Sequence, residues 1–337
     1  MLNIGIIGAG RIGKVHSESI TYHVKDATVV AIADPFMNEE TKAWAEGLGI
    51  PKISKDYHDI LNDASVDAVL ICSSTDTHAD IAIEAIKAGK HVFCEKPISQ
   101  DLAKIKEVME ALKGSNVKFQ VGFNRRFDHN FEAVQKAVAD GKVGDVHVIK
   151  VTSRDPEPPC AEYVKVSGGM FLDMTIHDFD MVRFLAGCNA EEVYVEAAVL
   201  VDPAIGEAGD VDTAVITLKM ENGAIAVIDN SRKAVYGYDQ RAEVFGSKGM
   251  VATANDSASA AVISNADGVT GEKPLYFFLE RYMAAYAKEV RCFIKAIEED
   301  TETPLGVMDG LQPVLMGLAA KKSLEEHRPV KISEIEM

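Results

Sequence analysis

Cysteine, tryptophan and positive charge are all scarce in this 337-residue chain. Its five cysteines, Cys72, Cys94, Cys160, Cys188 and Cys292, are odd in number, widely spaced and without a C-x-x-C pair. That spacing argues against a disulfide framework or a zinc ribbon and points to a reduced, cytoplasmic setting. Lysine and arginine number 35 against 52 aspartates and glutamates, so the net charge is −17. Such a field repels nucleic acid and anionic membrane rather than holding them. No apolar run reaches the ~18 residues of a membrane span, and Leu2–Ile7 opens the chain as a strand pattern rather than as a signal peptide. Neither nucleic acid nor a membrane is an expected partner. Repeats and low-complexity tracts are lacking too.

What remains is ordinary globular composition, 47% hydrophobic and 26% charged, at a length that predicts about two domains. For the first ~120 residues short apolar runs alternate with helical patterns, the arrangement that builds a parallel sheet. Strands are expected at Leu2–Ile7, Thr28–Ala33, Val66–Cys72, His91–Cys94 and Val117–Val121. Helices are expected at Thr77–Ala88 and at Leu102–Leu112, the second capped by Ser99. After Gly122 the rhythm changes. Long strands (Val146–Arg154, Glu192–Val201, Val211–Met220, Ala224–Ser231) and a helix over 171–186 predict an α+β domain with a large, mostly antiparallel open sheet. Glu221-Asn222-Gly223 favours a type I′ hairpin. The expected division is 1–122 and 123–337, with helices at Arg281–Glu299 and Val307–Glu326 as candidates to pack back on the first domain.

Gly8-Ala9-Gly10-Arg11-Ile12-Gly13 directly follows the first strand and opens the first helix. In that context G-x-G-x-x-G is a dinucleotide fingerprint: Gly8 permits the tight turn, Gly10 lets a pyrophosphate approach, and Gly13 allows close helix packing. The helix N-terminus then receives the anion. Asp34 ends the second strand 21 residues after Gly13, where a carboxylate accepts ribose hydroxyls and repels a 2′-phosphate, so NAD is expected over NADP. Ser73, Ser74 and His78 follow the third strong strand at the ligand-binding edge of the sheet, either lining the cofactor pocket or capping the next helix.

Glu95-Lys96-Pro97 closes the fourth strong strand at the same edge. A cis proline there would aim the ammonium into the crevice; a surface ion pair between Glu95 and Lys96 is the alternative. On the helix of the second domain Asp173, His177 and Asp180 stand at i, i+4 and i+7 and are expected on one face. An imidazole beside a carboxylate suits proton removal from an alcohol. No metal is expected, because three ligands on successive turns diverge and no His/Cys cluster accompanies them.

The Gly8–Gly13 fingerprint, Glu95-Lys96-Pro97 and Asp173-x-x-x-His177, in this order and spacing, resemble the Gfo/Idh/MocA oxidoreductases over nearly the whole chain. Ser153-Arg154-Asp155-Pro156 and the segment Gly168 to Asp180 resemble the inositol-oxidising branch of that family. The resemblance implies a doubly wound Rossmann domain followed by the substrate domain, NAD as cofactor, and a cyclic polyol substrate. The implied reaction takes myo-inositol to 2-keto-myo-inositol, with another polyol or a glucose-type sugar as the alternative and a non-catalytic sensor as a further one. It also implies that Lys96 hydrogen-bonds the reacting oxygen, His177 is the general base and Asp173 completes the triad. Arg126, Asp155 and Tyr236 would line the polyol pocket, and four copies would associate through the open face of the second sheet. Where the family has a Pro-Asn type pair, this chain has Ser73-Ser74.

Overall fold

The structure, a computed structural model, describes residues 1–336. The chain forms two compact units, Met1–Asn124 with Met283–Val314, and Arg125–Tyr282 with Leu315–Glu336. Where one boundary after Gly122 was expected, the chain passes between units after Asn124, Tyr282 and Val314. Among the described residues no helix is long and apolar enough to cross a membrane.

The first unit is built on β1 (Leu2–Ile7), β2 (Ala27–Ala33), β3 (Lys52–Ser54), β4 (Ala68–Ile71), β5 (His91–Glu95) and β6 (Phe119–Gly122). All pair in parallel, in the order β3-β2-β1-β4-β5-β6, the doubly wound arrangement of dinucleotide-binding folds. Helices cover both faces of such a sheet, so central strands read as continuous apolar runs, and all four residues of β4 are buried. β3 was not foreseen: three residues with no buried position give no strand signal of their own. Ile4, Ile6, Leu70 and Phe93 form the core together with Val290, Phe293 and Ile294 of the helix Met283–Glu298. That late helix joins this unit because positions i, i+3 and i+4 put its apolar residues on one stripe. The helix Leu102–Leu112 is capped by Asp101, whose carboxylate accepts from Ala103 N at 2.9 Å, and not by Ser99, which instead accepts from Asp101 N.

The second unit carries β7 (Val146–Arg154), β8 (Ala190–Ala198), β9 (Thr213–Met220), β10 (Ile225–Ser231), β11 (Asp239–Gly246) and β12 (Gly249–Ala252), a separate hairpin β13 (Val262–Asn265) and β14 (Gly268–Gly271), and β15 (Val330–Lys331). The large sheet runs β12-β11-β7-β10-β9-β8-β15. Only the central pair β7 and β10 is parallel; the rest are antiparallel. Strict alternation puts Ala214, Ile216, Leu218 and Met220 of β9 inside while Val215, Thr217 and Lys219 face out. The hairpin joining β9 to β10 is not of type I′. Gly223 alone in the turn has a left-handed backbone, φ 85°, with Gly223 N donating to Met220 O and Met220 N to Ala224 O, a three-residue loop with a bulged glycine.

The helix expected over 171–186 is broken. One short helix covers Gly169–Asp173 and a second covers Ile176–Ala186. At the break Thr175 N donates to Met170 O across five residues, a π-type widening, and the Thr175 hydroxyl donates to Asn230 Oδ1 at 2.6 Å. Asp173 therefore ends one helix while His177 lies in the first turn of the next.

Candidate active site

At the carboxyl end of β1 the glycine turn has the shape a pyrophosphate needs. A Cβ on Gly8 (φ 101°) would stand 2.6 Å from the backbone of Cys72 and Ser73, and one on Gly13 would stand 1.9 Å from Gly8 O. Beside Gly10 nothing lies within 4 Å. Gly10 starts the helix Arg11–His23 without a side-chain cap, so the first N–H groups of that helix are left for an anion. Arg11 is exposed and Ile12 packs against the core. The two oxygens of Asp34 accept from Ala9 N (2.7 Å) and Phe36 N (2.8 Å). The glycine turn is thereby tied to the end of β2, and each oxygen keeps a lone pair for a ribose hydroxyl. These residues fit a dinucleotide.

Glu95 turns inward, 8% exposed, and meets His16 of the first helix, Nε2 to Oε1 at 2.6 Å. Expected at the cofactor or in a surface pair with Lys96, the Glu95 carboxylate is held instead by this buried imidazole. Glu289, fully buried on the helix Met283–Glu298, faces the same spot, and neither of its carboxyl oxygens has a hydrogen-bond partner. Burial, reinforced by the nearby Glu95 and Cys292, pushes Glu289 well above the ordinary carboxylate range. Donor atoms of His16, Glu95 and Glu289 lie within 4.8 Å of one another, but ligands around a zinc-like ion stand about 3.3 Å apart. At 2.6 Å His16 and Glu95 form a hydrogen-bonded pair with no ion between them.

Lys96 is half-buried and the Lys96–Pro97 peptide is cis. His78, expected at the cofactor, is 2% exposed, with Nδ1 2.9 Å from Pro97 O and Nε2 3.1 Å from Ser73 O. Both ring nitrogens face carbonyls, so His78 braces the loop after β4 against Pro97 rather than offering a polar atom outward. Ser73 Oγ shares a hydrogen bond with Thr77 Oγ1 at 2.7 Å, and the helix His78–Lys87 has no side-chain cap. Helix capping by these hydroxyls is therefore not what the structure shows.

In the second unit the carboxyl ends of β7 and β10 and the amino end of the antiparallel β11 carry a buried polar ladder. Asn230 pairs in register with Ser153, and Ser153 with Gln240; the Ser153 hydroxyl donates to Gln240 Oε1 (3.1 Å), and Asn230 Nδ2 donates to Asp178 (2.9 Å). Asp178 also receives Arg125, Nη1 to Oδ1 at 2.6 Å. Asp180 accepts both Nε (2.8 Å) and Nη2 (2.6 Å) of Arg126 and lies 3.5 Å from Arg183. Asp180 is thus 1% exposed and turned into the core, not onto a face shared with Asp173 and His177. The widened turn at Thr175 takes Asp173 out of register, since the i, i+4, i+7 rule presumes an unbroken helix. His177 and Asp180 share one helix, and it is the Arg126 clamp that holds the Asp180 carboxylate inward.

Asp173 and His177 are both half-buried. Asp173 accepts from the Tyr163 hydroxyl at 3.0 Å and from Arg232 Nη2 at 3.4 Å. The other nitrogen of the same guanidinium, Nη1, lies 3.4 Å from Asp155. Burial raises the Asp155 carboxyl to about 6, opposed by Arg232 and Arg125 and reinforced by Asp173. Sequence reasoning missed Arg232 and Tyr163. Arg232 sits just past β10 in Ser231-Arg232-Lys233, where nothing in periodicity distinguishes it from an exposed basic residue. Tyr236, expected in the polyol pocket, is 39% exposed; its hydroxyl donates to Asp239 (2.6 Å) and accepts from Arg154 (3.1 Å). With Glu157, Lys233, Tyr276 and Glu280 it lines a cavity of about 500 Å³.

Residues 2–123 match the family described as "Oxidoreductase family, NAD-binding Rossmann fold", and residues 131–252 match the GFO/IDH/MocA C-terminal domain. The chain is 49% identical over 334 residues to a myo-inositol 2-dehydrogenase of Thermotoga maritima, covering 99% of both proteins. It is 46% identical to an inositol 2-dehydrogenase of Rhizobium meliloti, over 98% of this chain and 99% of that one. Among solved structures, scyllo-inositol dehydrogenase from Lactobacillus casei with bound NAD(H) and scyllo-inositol superposes with a TM-score of 0.92 at 31% identity, covering 99% of each chain. The chain belongs to the Gfo/Idh/MocA family of NAD-binding oxidoreductases.

Proposed function

We propose that the protein oxidises myo-inositol to 2-keto-myo-inositol with NAD⁺. The observation that carries the substrate is the likeness, at 46–49% identity over essentially whole chains, to relatives named for that activity. The geometry supports the chemistry. The open glycine turn and the tethered Asp34 carboxylate suit a dinucleotide lacking a 2′-phosphate. Bound NAD⁺ supplies the hydride acceptor.

The chain's own groups handle the proton and the substrate. In this reading Lys96 hydrogen-bonds the reacting oxygen and stabilises negative charge as it develops, and His177 removes the hydroxyl proton. Asp173, oriented by Tyr163 and Arg232, stabilises the protonated imidazole. Asp155, Tyr236 and Arg126, the last clamped to Asp180, present polar atoms to the remaining hydroxyls. A polar site of this kind rejects analogues that lack the matching hydroxyl, because its own groups would be left unpaired. We further propose that four copies associate in the cytoplasm through the outer face of the second sheet, where Val215, Ile225 and Phe245 are exposed.

Following NADH formation over a panel of inositols and aldoses, with NAD⁺ and NADP⁺ in parallel, tests the reading. Turnover on myo-inositol with NAD⁺, and at least ~10-fold lower kcat/KM with NADP⁺, is expected. Preference for an aldose would move the protein to the sugar branch; no reduction with any alcohol would leave only a nucleotide-holding protein.

A further inference from the structure

The second unit holds an arginine that no motif announced. Arg232 is 4% exposed, and its guanidinium is divided between two carboxylates: Nη1 is 3.4 Å from Asp155 and Nη2 is 3.4 Å from Asp173. Buried arginines ordinarily close a bidentate fork on one carboxylate at 2.7–2.9 Å, as Arg126 does with Asp180 in this unit. Arg232 makes two long contacts instead. A single positive charge is thus shared between two acids, through one long contact to each.

The arginine is held from behind. Its backbone N donates to Asp212 O at 2.8 Å, while Asp155 is fixed by Asp155 N to Ser231 O (2.9 Å) and by Ala234 N to Asp155 O (2.6 Å). The side chains of Asp155 and Asp173 are 14% and 15% exposed, so each reaches the surface at an edge. We propose that Arg232 is a positioning residue for polyol binding, holding Asp155 and Asp173 in place as a matched pair of acceptors for neighbouring ring hydroxyls. The inference rests on the polyol-oxidation reading above and deepens it.

Removing that charge has a consequence set by electrostatics. The groups facing Asp155 are Arg232 from the end of β10, Asp173 from the short helix, Arg125 from the turn before the helix His129–Ala139, and Tyr238 beside β11; Tyr163 faces Asp173. Arg125 is already engaged by Asp178 at 2.6 Å. Without Arg232, Asp155 loses the cation that most opposes its burial, with Asp173 still facing it, and it takes up a proton more readily. A protonated carboxyl still hydrogen-bonds, but as a donor into a site arranged for acceptors.

The test is the pH profile of kcat/KM for myo-inositol in the wild type, Arg232→Gln, Arg232→Lys and Asp155→Asn, with NADH affinity measured on each. R232Q should lose ~10-fold or more in kcat/KM at pH 7, mainly through KM, and its acid limb should move up by about one to two pH units. R232K should recover most of that shift. In the D155N background, R232Q should move the limb much less. Unchanged NADH affinity shows that each variant is folded. An acid limb that stays in place in R232Q, whatever happens to the rate, overturns the inference and leaves the oxidation reading standing. A wild type that reduces no NAD⁺ with any inositol overturns both.

Discussion

Each charged side chain in the second unit was recognisable as charged from the sequence, but its destination depended on backbone detail. Asp173, Asp178 and Asp180 lie within one short segment and have three different fates. Asp173 reaches Tyr163 and Arg232, Asp178 is sealed against Arg125, and Asp180 is clamped by Arg126. Asp173 and His177 are both half-buried, and the proposed reaction assigns the chemistry to them. Replacing Lys96 or His177 by Ala is expected to cost ~10²-fold or more in kcat on myo-inositol, while NADH affinity stays within a few-fold. Steady-state turnover alongside NADH fluorescence titration checks this. Near-normal turnover in His177→Ala would mean that another base removes the proton.

At the scale of elements, the first unit was legible because its signals are local. β1 and the helix Leu102–Leu112 stand where apolar runs and turn residues put them, residue for residue. Other ends shifted by one or two positions, within the fraying expected of such boundaries. What was not legible depended on distant partners: the three-residue β3 exists through β2, and the break at Thr175 through its hydroxyl's bond to Asn230, 55 residues away. The pairing of His16 with Glu95, across 79 residues, was likewise invisible. With Glu289 these residues join the first helix, β5 and the helix Met283–Glu298.

Glu289 makes a stability prediction for that junction. Its carboxyl is raised in the folded state by burial, with Glu95 and Cys292 adding to it. A raised acid contributes stability below its unfolded value near 4.5, and that contribution is lost as pH rises toward the folded value, at up to about 1.4 kcal/mol per pH unit. Glu289→Gln cannot ionise. Its melting temperature should therefore gain on the wild type progressively from pH 5 to pH 8. A difference that is flat across that range would show that Glu289 keeps its ordinary affinity for protons.

For the molecule as a whole, the doubly wound sheet and the mostly antiparallel second sheet followed from the change of hydrophobic rhythm near Gly122, because parallel and antiparallel sheets bury different numbers of faces. The return of Met283–Val314 to the first unit turns on which core an amphipathic helix chooses, and periodicity alone does not state that. Association into four copies predicts a light-scattering mass near four times 36.5 kDa; a monomer mass would show that the exposed apolar residues of the sheet face do not drive assembly. The central claim, however, concerns a hydride. Incubation with NAD⁺ and myo-inositol deuterated at C2, followed by NMR of the reduced cofactor, follows that atom directly. The account predicts one deuterium at C4 of the nicotinamide; reduced cofactor without it, or no reduced cofactor, would contradict the account.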